Sequence, residues 1–136
     1  MFDLTGKRAL ITGATGGIGV AIASALHSQG AAVVLSGTRL ANLSDLSNSL
    51  GDDAHAISCD LSDFVSQDSL VDGAIEKMGG IDILVNNAGI NRDSLTLRMK
   101  DEDWQSVLDI NLTSAFRLSR RSVREMAKQR WGRVIS

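Results

Sequence analysis

The stretch LITGATGGIGVAIA, residues 10–23, constrains the fold more than any other part of the sequence. An apolar run precedes Gly13, Gly16, Gly17 and Gly19, and a helical pattern follows them. Glycine adopts the backbone angles of a tight turn at little cost and lets a ligand approach the main chain. The start of a helix attracts phosphate through unpaired N–H groups and the positive end of its dipole. The stretch therefore predicts a phosphate-binding turn, although a tight turn without a ligand would use the same glycines.

The rest of the chain alternates apolar runs with helical patterns. The pattern predicts strands at 8–12, 31–36, 54–58, 81–86 and 132–136, with helices between them, the last from about 101 to 129. Strands joined by helical crossovers form a parallel sheet with helices on both faces. We therefore predict a single α/β domain over residues 1–136, a Rossmann-like doubly wound sheet that stops in its fifth strand. Ligands of such sheets bind at the carboxyl ends of the strands, where Gly13 falls.

Composition narrows the possible functions. The 136 residues are 43% hydrophobic and 22% charged, with a net charge of −2, which is an ordinary balance for a soluble protein. No apolar run is long enough for a membrane helix, and no cluster of residues has the spacing of metal ligands. An acidic chain without a platform for base stacking does not favour a nucleic-acid partner. The single Cys59 is expected to be a buried filler, and it suggests a cytoplasmic location.

Three ordered motifs carry a resemblance to the short-chain dehydrogenase/reductase family. The first is T-G-x-x-x-G-x-G at 12–19, the second is NNAG at 86–89, and the third is NLTS at 111–114. A P-loop is excluded because no Gly-Lys-Ser/Thr follows the glycines. The stretch NNAGINRDSLTLRMKDEDW resembles the 3-oxoacyl-[acyl-carrier-protein] reductases of fatty-acid synthesis. The resemblance implies NADPH-dependent reduction of a 3-oxoacyl group on acyl carrier protein. Two alternatives remain open: a reductase of another small ketone or sugar, and a noncatalytic dinucleotide-binding or assembly module.

The end of the second strand indicates which dinucleotide binds. Domains that prefer NAD carry a carboxylate there, which accepts a hydrogen bond from the ribose 2′-hydroxyl and would repel a 2′-phosphate. This chain has Gly37, Thr38 and Arg39 in the stretch LSGTR. The residues therefore predict NADP(H), with a solvated turn as the alternative for Arg39. Many family members have a basic residue where this chain has Gly16, so the positive charge for the phosphate rests on Arg39.

The resemblance also implies roles for residues after the third and fourth strands. Asp60 would accept a hydrogen bond from the adenine amino group with Leu61 packed nearby, whereas Asp60 could instead cap the following turn. Asn87, Ala88 and Gly89 would pass beneath the two riboses, and Asn86 is expected to link strands rather than touch the ligand. The predicted cofactor-binding residues are Gly13, Ala14, Thr15, Gly16, Gly17, Ile18, Gly19, Thr38, Arg39, Asp60, Leu61, Asn87, Ala88 and Gly89.

Asn111 is unusual within a helix, because asparagine competes for backbone hydrogen bonds. It predicts a local kink, and the resemblance gives Asn111 a catalytic role in holding a water of the proton relay; a tolerated polar residue is the alternative. The catalytic Ser, Tyr and Lys of the family lie downstream of the fifth strand, and this chain has no tyrosine. We expect either the N-terminal part of a reductase or a short dinucleotide-binding protein, and residues 1–136 alone to be inactive.

The long helix predicts two partner surfaces. An apolar stripe suggests a partner helix, and the resemblance implies a homotetramer assembled through it. Several basic residues on one helical face predict a positive surface for acyl carrier protein, with a solvated face as the alternative. The resemblance makes Arg130 a docking residue, expected near the mouth of the cleft. The stripe comprises Leu108, Leu112, Phe116, Ser119, Val123 and Met126, and the basic residues are Arg117, Arg120, Arg121, Arg124 and Lys128.

Overall fold

The structure, a computed structural model, describes residues 2–136. Five strands alternate with helices along the chain, as the apolar and helical patterns predict. The strands are β1 (Arg8–Ile11), β2 (Ala32–Gly37), β3 (Ala54–Ser58), β4 (Ile83–Val85) and β5 (Arg133–Ile135). The helices are α1 (Gly17–Ser28), α2 (Leu40–Leu50), α3 (Phe64–Met78), α4 (Asp101–Leu108) and α5 (Ser114–Lys128), with a 3-10 turn at Thr96–Arg98 and a π-helical turn at Asp109–Thr113.

All five strands are parallel and lie in the order β3-β2-β1-β4-β5. The order reverses at β1, where β2 lies on one side and β4 on the other, so a crevice opens beyond the carboxyl ends of these strands. The predicted fold class, a Rossmann-like parallel sheet with helices, is confirmed. The strands end within two residues of the predicted bounds, which is the usual uncertainty of element ends.

Side chains of the central strands alternate between two hydrophobic cores, one on each face of the sheet. Leu10, Val34 and Leu84 point to the face covered by α3 and α5, where Leu70 and Leu118 join them. Their neighbours along the strands point to the face covered by α1 and α2: Ala9, Ile11, Val33, Leu35, Ile83 and Val85. Because both faces are buried, β1, β2 and β4 read as continuous apolar runs in the sequence rather than as alternating ones.

The predicted long helix is one helical stretch interrupted by the π turn. α4, the π turn and α5 follow one another without a gap from Asp101 to Lys128. The hydroxyl of Ser114 donates to the carbonyl oxygen of Ile110 at the end of the π turn. Such turns insert one extra residue into a helix and are frequent at functional sites. The sequence predicts an irregularity at Asn111, and the structure has a π turn there.

A closed polar network lies at the amino edge of the sheet, where the strands begin. The side chain of Asp82 is 7% exposed and pairs with Arg8, whose Nε lies 2.8 Å from Oδ2. Gln129 donates through Nε2 to Asp82 Oδ1 at 2.7 Å and to the Ile81 carbonyl oxygen at 3.0 Å. Arg8 also donates to the carbonyl oxygen of Gly79 at 2.9 Å. The network joins β1, β4 and the end of α5, and nothing in the local sequence pattern predicts it.

Candidate dinucleotide-binding site

A cleft of about 210 Å³ lies at the carboxyl edge of the sheet. It is bordered by the segments that follow β1, β2, β3 and β4, and Ile110 of the π turn closes one side. Seven of the fourteen predicted cofactor residues border it, from Gly13 after β1 to Gly89 after β4. The lining residues are Thr12, Gly13, Thr15, Ser36, Gly37, Thr38, Cys59, Asp60, Leu61, Ala88, Gly89, Ile90 and Ile110.

Two glycines of the turn after β1 are required by the protein's own packing. Gly13 has φ of +61°, and a Cβ there would lie 2.9 Å from the Cα of Ala88. A Cβ on Gly19 would overlap the carbonyl oxygen of Gly13 and come within 2.8 Å of its carbonyl carbon. These glycines therefore allow the close approach of α1 to β1 and of β1 to the segment after β4. Ala14, the residue after Gly13, is fully buried, and its N–H donates to the carbonyl oxygen of Ser36.

Two other glycines of the same turn have free space around them. A Cβ on Gly17 would meet no atom within 4 Å, and one on Gly16 would meet only the Gly13 carbonyl oxygen at 3.6 Å. No side chain caps α1, and no acidic residue lies in its first turn. The first N–H groups of a helix have no partner within the helix. The open space and the free donors fit a pyrophosphate, and Ile18, 72% exposed, borders this surface without closing it.

Thr12 and Asn87 hold the glycine turn against the segment after β4. The Thr12 hydroxyl oxygen accepts hydrogen bonds from the N–H groups of Asn87 at 3.1 Å and Ala88 at 3.0 Å. The side-chain amide of Asn87 donates to the carbonyl oxygens of Thr12 and Gly13. Asn87 therefore fixes the shape of the turn. Thr12 was not among the predicted site residues; its place as the first residue of the T-G-x-x-x-G-x-G motif is the signal that could have identified it.

The end of β2 offers no carboxylate to the cleft. Thr38 is exposed and lines the cleft, and Arg39 is exposed at the start of α2. Among residues 2–136, Arg39 forms no ion pair. Its guanidinium is therefore available to a ligand, and this is the arrangement that a 2′-phosphate would need.

The end of β3 brings Cys59, Asp60 and Leu61 to the cleft. Ser62 donates to Asp60 Oδ1 from its N–H at 2.9 Å and from its hydroxyl at 2.6 Å, so Asp60 does cap the next turn. These bonds from Ser62 lower the pKa of Asp60. Burial raises the pKa of Cys59 to about 11, which keeps it a neutral thiol, in agreement with its predicted role as a buried filler.

Asn111 connects the π turn to the loop after β4. Its Oδ1 accepts from the N–H of Ile90 at 2.8 Å, and its Nδ2 donates to the carbonyl oxygen of the same residue at 2.9 Å. The side chain thus pairs with the peptide groups of Ile90 as a neighbouring strand would. Asn86, by contrast, donates to Ser119 at 3.1 Å and Ser136 at 3.3 Å, and its N–H donates to Ile135, so it links β4 to α5 and β5 as expected.

The predicted basic surface of α5 is partly neutralised. Arg117 pairs with Asp68, and Arg121 pairs with Asp72 and Glu125, so both arginines serve the packing of α5 on α3. Lys128 pairs with Glu125. The apolar stripe is also divided, because Met126 lies in the core whereas Leu112, Phe116 and Val123 are 65%, 59% and 47% exposed. The sequence pattern could not reveal these partners, since the two aspartates are 49 positions away.

Arg130 does not lie near the mouth of the cleft, and this expectation was wrong. α5 runs antiparallel to the strands, and β5 begins three residues after Arg130 with Arg133 opposite Ile83, the first residue of β4. Arg130 is therefore at the amino edge of the sheet, and the cleft is at the carboxyl edge. Its backbone has φ of +57°, in the left-handed region that glycine favours.

Comparison with known proteins agrees with this geometry. A model of the short chain dehydrogenase family matches residues 7–136, and the chain belongs to this family. It is 49% identical over 136 residues to nodulation protein G of Rhizobium sp. (strain N33). It is 45% identical over 136 residues to the 3-oxoacyl-[acyl-carrier-protein] reductase FabG of Rickettsia prowazekii. The resemblance to short-chain dehydrogenases inferred from the motifs is confirmed.

A solved structure extends the comparison to three dimensions. The crystal structure of a protein assigned as a short-chain alcohol dehydrogenase from Sinorhizobium meliloti 1021 matches 98% of this chain with a TM-score of 0.92 and 34% identity. The match covers 54% of that protein, and the chain covers 56% and 55% of the two relatives named above. The chain thus spans about half the length of the relatives it matches. Membership of this family supports an oxidoreductase that uses a nicotinamide dinucleotide cofactor.

Within residues 2–136, no group of three or more His, Cys, Asp or Glu side chains could hold a metal ion. In the same part of the chain, no helix has both the length and the apolar character needed to cross a bilayer.

Proposed function

We propose that the complete protein reduces 3-oxoacyl-[acyl-carrier-protein] to 3-hydroxyacyl-[acyl-carrier-protein] with NADPH, in the cytoplasm. The observation that carries the choice of cofactor is the end of β2, where exposed Thr38 and unpaired Arg39 replace a carboxylate. FabG of Rickettsia prowazekii, at 45% identity, supports the choice of substrate. The cleft at the switch of strand order supports binding of a dinucleotide.

Different residues of the cleft would hold different parts of the cofactor. The N–H groups at the start of α1 would hold the pyrophosphate over Gly16 and Gly17, where a side chain has space but none is present. Thr38 and Arg39 would hold the 2′-phosphate, and Asp60 with Leu61 the adenine. Ala88 and Gly89 would lie beneath the nicotinamide ribose, close to Asn111. When bound, the reduced nicotinamide supplies the hydride.

The protein's own part in the chemistry is to bring a proton to the substrate oxygen. A carbonyl needs a proton donor as hydride arrives, and general acid catalysis contributes about 10² to 10⁴ in rate. This chain contains no tyrosine, so the Ser, Tyr and Lys implied by the family resemblance would come from the remaining length that the relatives possess. Asn111 would take part through the loop that it holds, because its side chain fixes Ile90 at the border of the cleft.

Assembly and carrier docking form a second part of the proposal. The exposed Trp104, Leu112, Phe116 and Val123 on α4, the π turn and α5 suit a helix of another subunit in a homotetramer. Arg130 cannot serve the cleft of its own chain, because it lies at the opposite edge of the sheet. We propose that it guides acyl carrier protein only where another subunit places its cleft beside Arg130.

A noncatalytic dinucleotide-binding module is the second candidate, favoured by the absence of tyrosine from the sequence. The two candidates differ in whether the complete protein turns over a 3-oxoacyl thioester, and not in what is expected of residues 1–136 alone. We expect residues 1–136 alone to bind NADPH and to oxidise none of it in the presence of a 3-oxoacyl thioester. Ordinary turnover by residues 1–136, followed as loss of NADPH absorbance, would show that the chemistry is wrongly assigned to the missing part.

Calorimetric titration tests the cofactor assignment. NADPH should bind at least about tenfold more tightly than NADH, a difference of about 1.4 kcal/mol. Thr38→Asp should reverse the order, because the new carboxylate repels the 2′-phosphate and accepts from the 2′-hydroxyl. Thr96→Asp, on an exposed threonine away from the cleft, is the matched control and should leave both affinities unchanged. Equal affinities of the unaltered protein for the two nucleotides would contradict the assignment.

A further inference from the structure

Asp60 follows β3 and lines both the main cleft and a neighbouring hollow bordered by Thr38 and Ser66. One of its carboxylate oxygens is already engaged: Oδ1 accepts from the N–H of Ser62 at 2.9 Å and from its hydroxyl at 2.6 Å. The other oxygen, Oδ2, has no hydrogen-bond partner among residues 2–136. Oδ2 is therefore the oxygen that remains for a ligand.

The main chain around Asp60 is held from three directions. The N–H of Cys59 donates to the carbonyl oxygen of Gly37 at 2.9 Å, and the N–H of Asp63 donates to that of Asp60 at 3.1 Å. Gln67, a fully buried residue of α3, donates through Nε2 to the carbonyl oxygen of Leu61 at 2.6 Å. With the backbone fixed, the remaining freedom of Asp60 is rotation of its side chain, and the two bonds from Ser62 restrict that rotation.

The chemistry of a carboxylate decides what Oδ2 can recognise. An ordinary aspartate is ionised at neutral pH, and the bonds from Ser62 lower the pKa of Asp60 further. An ionised carboxylate only accepts hydrogen bonds. A purine with an amino group at its position 6 can donate to it, whereas a purine with an oxo group there presents a second acceptor and is repelled.

We infer that Ser62 is a positioning residue that selects adenine: its N–H and hydroxyl fix Oδ1 of Asp60 so that Oδ2 meets the purine amino group. The inference rests on the proposed dinucleotide function and adds a determinant of base specificity outside the glycine turn. The competing explanation is that the Asp60–Ser62 turn only begins the approach to α3. Ser62 would then contribute to stability, and purine discrimination would not depend on its hydroxyl.

The chain contains a matched turn far from the cleft. Asp3 Oδ1 accepts from the N–H of Thr5 at 2.9 Å, the same pattern over two residues. This turn precedes β1, at the amino edge of the sheet. Thr5→Ala thus removes a hydroxyl from an equivalent turn without touching the site.

The experiment measures the dissociation constants of NADPH and of its analogue with hypoxanthine in place of adenine, for the complete protein and its variants. Ser62→Ala should raise the dissociation constant of NADPH by about threefold to tenfold, the usual effect of one hydrogen bond. The variant should raise the dissociation constant of the analogue by less than about twofold, because the analogue has no amino group that donates to Oδ2. Ser62→Thr retains a hydroxyl and should keep the unaltered discrimination, and Thr5→Ala should change neither constant.

The outcomes separate this inference from the proposed function. If the unaltered protein binds neither nucleotide, the proposed function fails and the inference fails with it. If NADPH binds but Ser62→Ala weakens both nucleotides by the same factor, or neither, the inference alone is overturned. If Ser62→Ala weakens the binding of NADPH more than that of the analogue, and Ser62→Thr restores it, the inference is supported.

Discussion

The two edges of the sheet differ in how far their polar groups are bonded to other parts of the protein. At the amino edge, Arg8, Asp82 and Gln129 bond one another and the nearby carbonyl oxygens, which closes the edge. At the carboxyl edge, the start of α1 has no side-chain cap, Arg39 has no ion pair in the described chain, and Gly17 faces free space. The N–H groups at a helix start and a guanidinium without an ion pair can bind an anion. The edge where they are left free is therefore the edge prepared for a ligand.

The largest expected effect comes from a glycine that the closed packing needs. Gly19→Ala places a methyl group on the carbonyl oxygen of Gly13, so α1 must move away from β1. We expect a loss of about 3 kcal/mol in the free energy of unfolding, at the upper end of overpacking effects, measured by urea denaturation. A variant as stable as the unaltered protein would show that α1 is not packed as described.

Asp82→Asn tests the closed edge. Removing the carboxylate leaves the half-buried Arg8 without its charged partner, and we expect a loss of about 2 to 3 kcal/mol in unfolding free energy with NADPH affinity unchanged. Weaker binding of NADPH by this variant would show that the closed edge and the cleft are coupled.

The pH dependence of stability follows from the same carboxylate. Burial would raise the pKa of Asp82, but the hydrogen bonds and charge of Arg8 outweigh it and lower that pKa below its ordinary value. A lowered folded-state pKa contributes stability above about pH 4, the unfolded value, and that stability is lost as the pH falls further. Denaturation at pH 3 and pH 7 should show a smaller loss for Asp82→Asn than for the unaltered protein. If both proteins lose the same stability between pH 7 and pH 3, carboxylates other than Asp82 cause the loss.

Gly17→Ala changes the same turn as Gly19→Ala, two positions earlier. Among residues 2–136 no atom lies within 4 Å of a Cβ added at Gly17, and alanine favours the helix by up to about 1 kcal/mol. We expect unchanged or higher stability together with NADPH binding weakened by about 1 to 2 kcal/mol, since the methyl group enters the phosphate space. Retained affinity in titration calorimetry would show that the free space at Gly17 is not the phosphate site.

Arg130→Gly should have the smallest effect. Arg130 has φ of +57° at the end of α5, a conformation that glycine adopts at less cost. We expect a gain of about 0.5 to 1 kcal/mol in unfolding free energy. If Arg130 guides acyl carrier protein across subunits, turnover of carrier-bound substrate by the complete enzyme falls while small free ketones are unaffected, and the loss shrinks as salt rises. Equal loss on both substrates would indicate a folding or assembly defect instead.

The sequence predicted the open edge far better than the closed one, for a physical reason. The glycine turn, Thr38, Asp60 and the NNAG segment each follow a strand, and the parallel arrangement alone brings strand ends together. The pairs Arg8–Asp82, Arg117–Asp68 and Arg121–Asp72 join residues 49 to 74 positions apart. No periodicity encodes such pairs. The end of α5 lies away from the cleft because a helix that joins two parallel strands runs antiparallel to them, which brings Arg130 back to the amino edge.

If the carboxyl edge of the sheet alone receives the dinucleotide, amide NMR during an NADPH titration will show shifts at that edge only. We expect the largest shifts at the N–H groups of Gly17, Ile18 and Gly19, with smaller changes at Thr38 and Asp60. The amides of Asp82 and Gln129 should remain at their original positions. Shifts confined to the amino edge, or saturating NADPH without any change between Gly13 and Gly19, would contradict it.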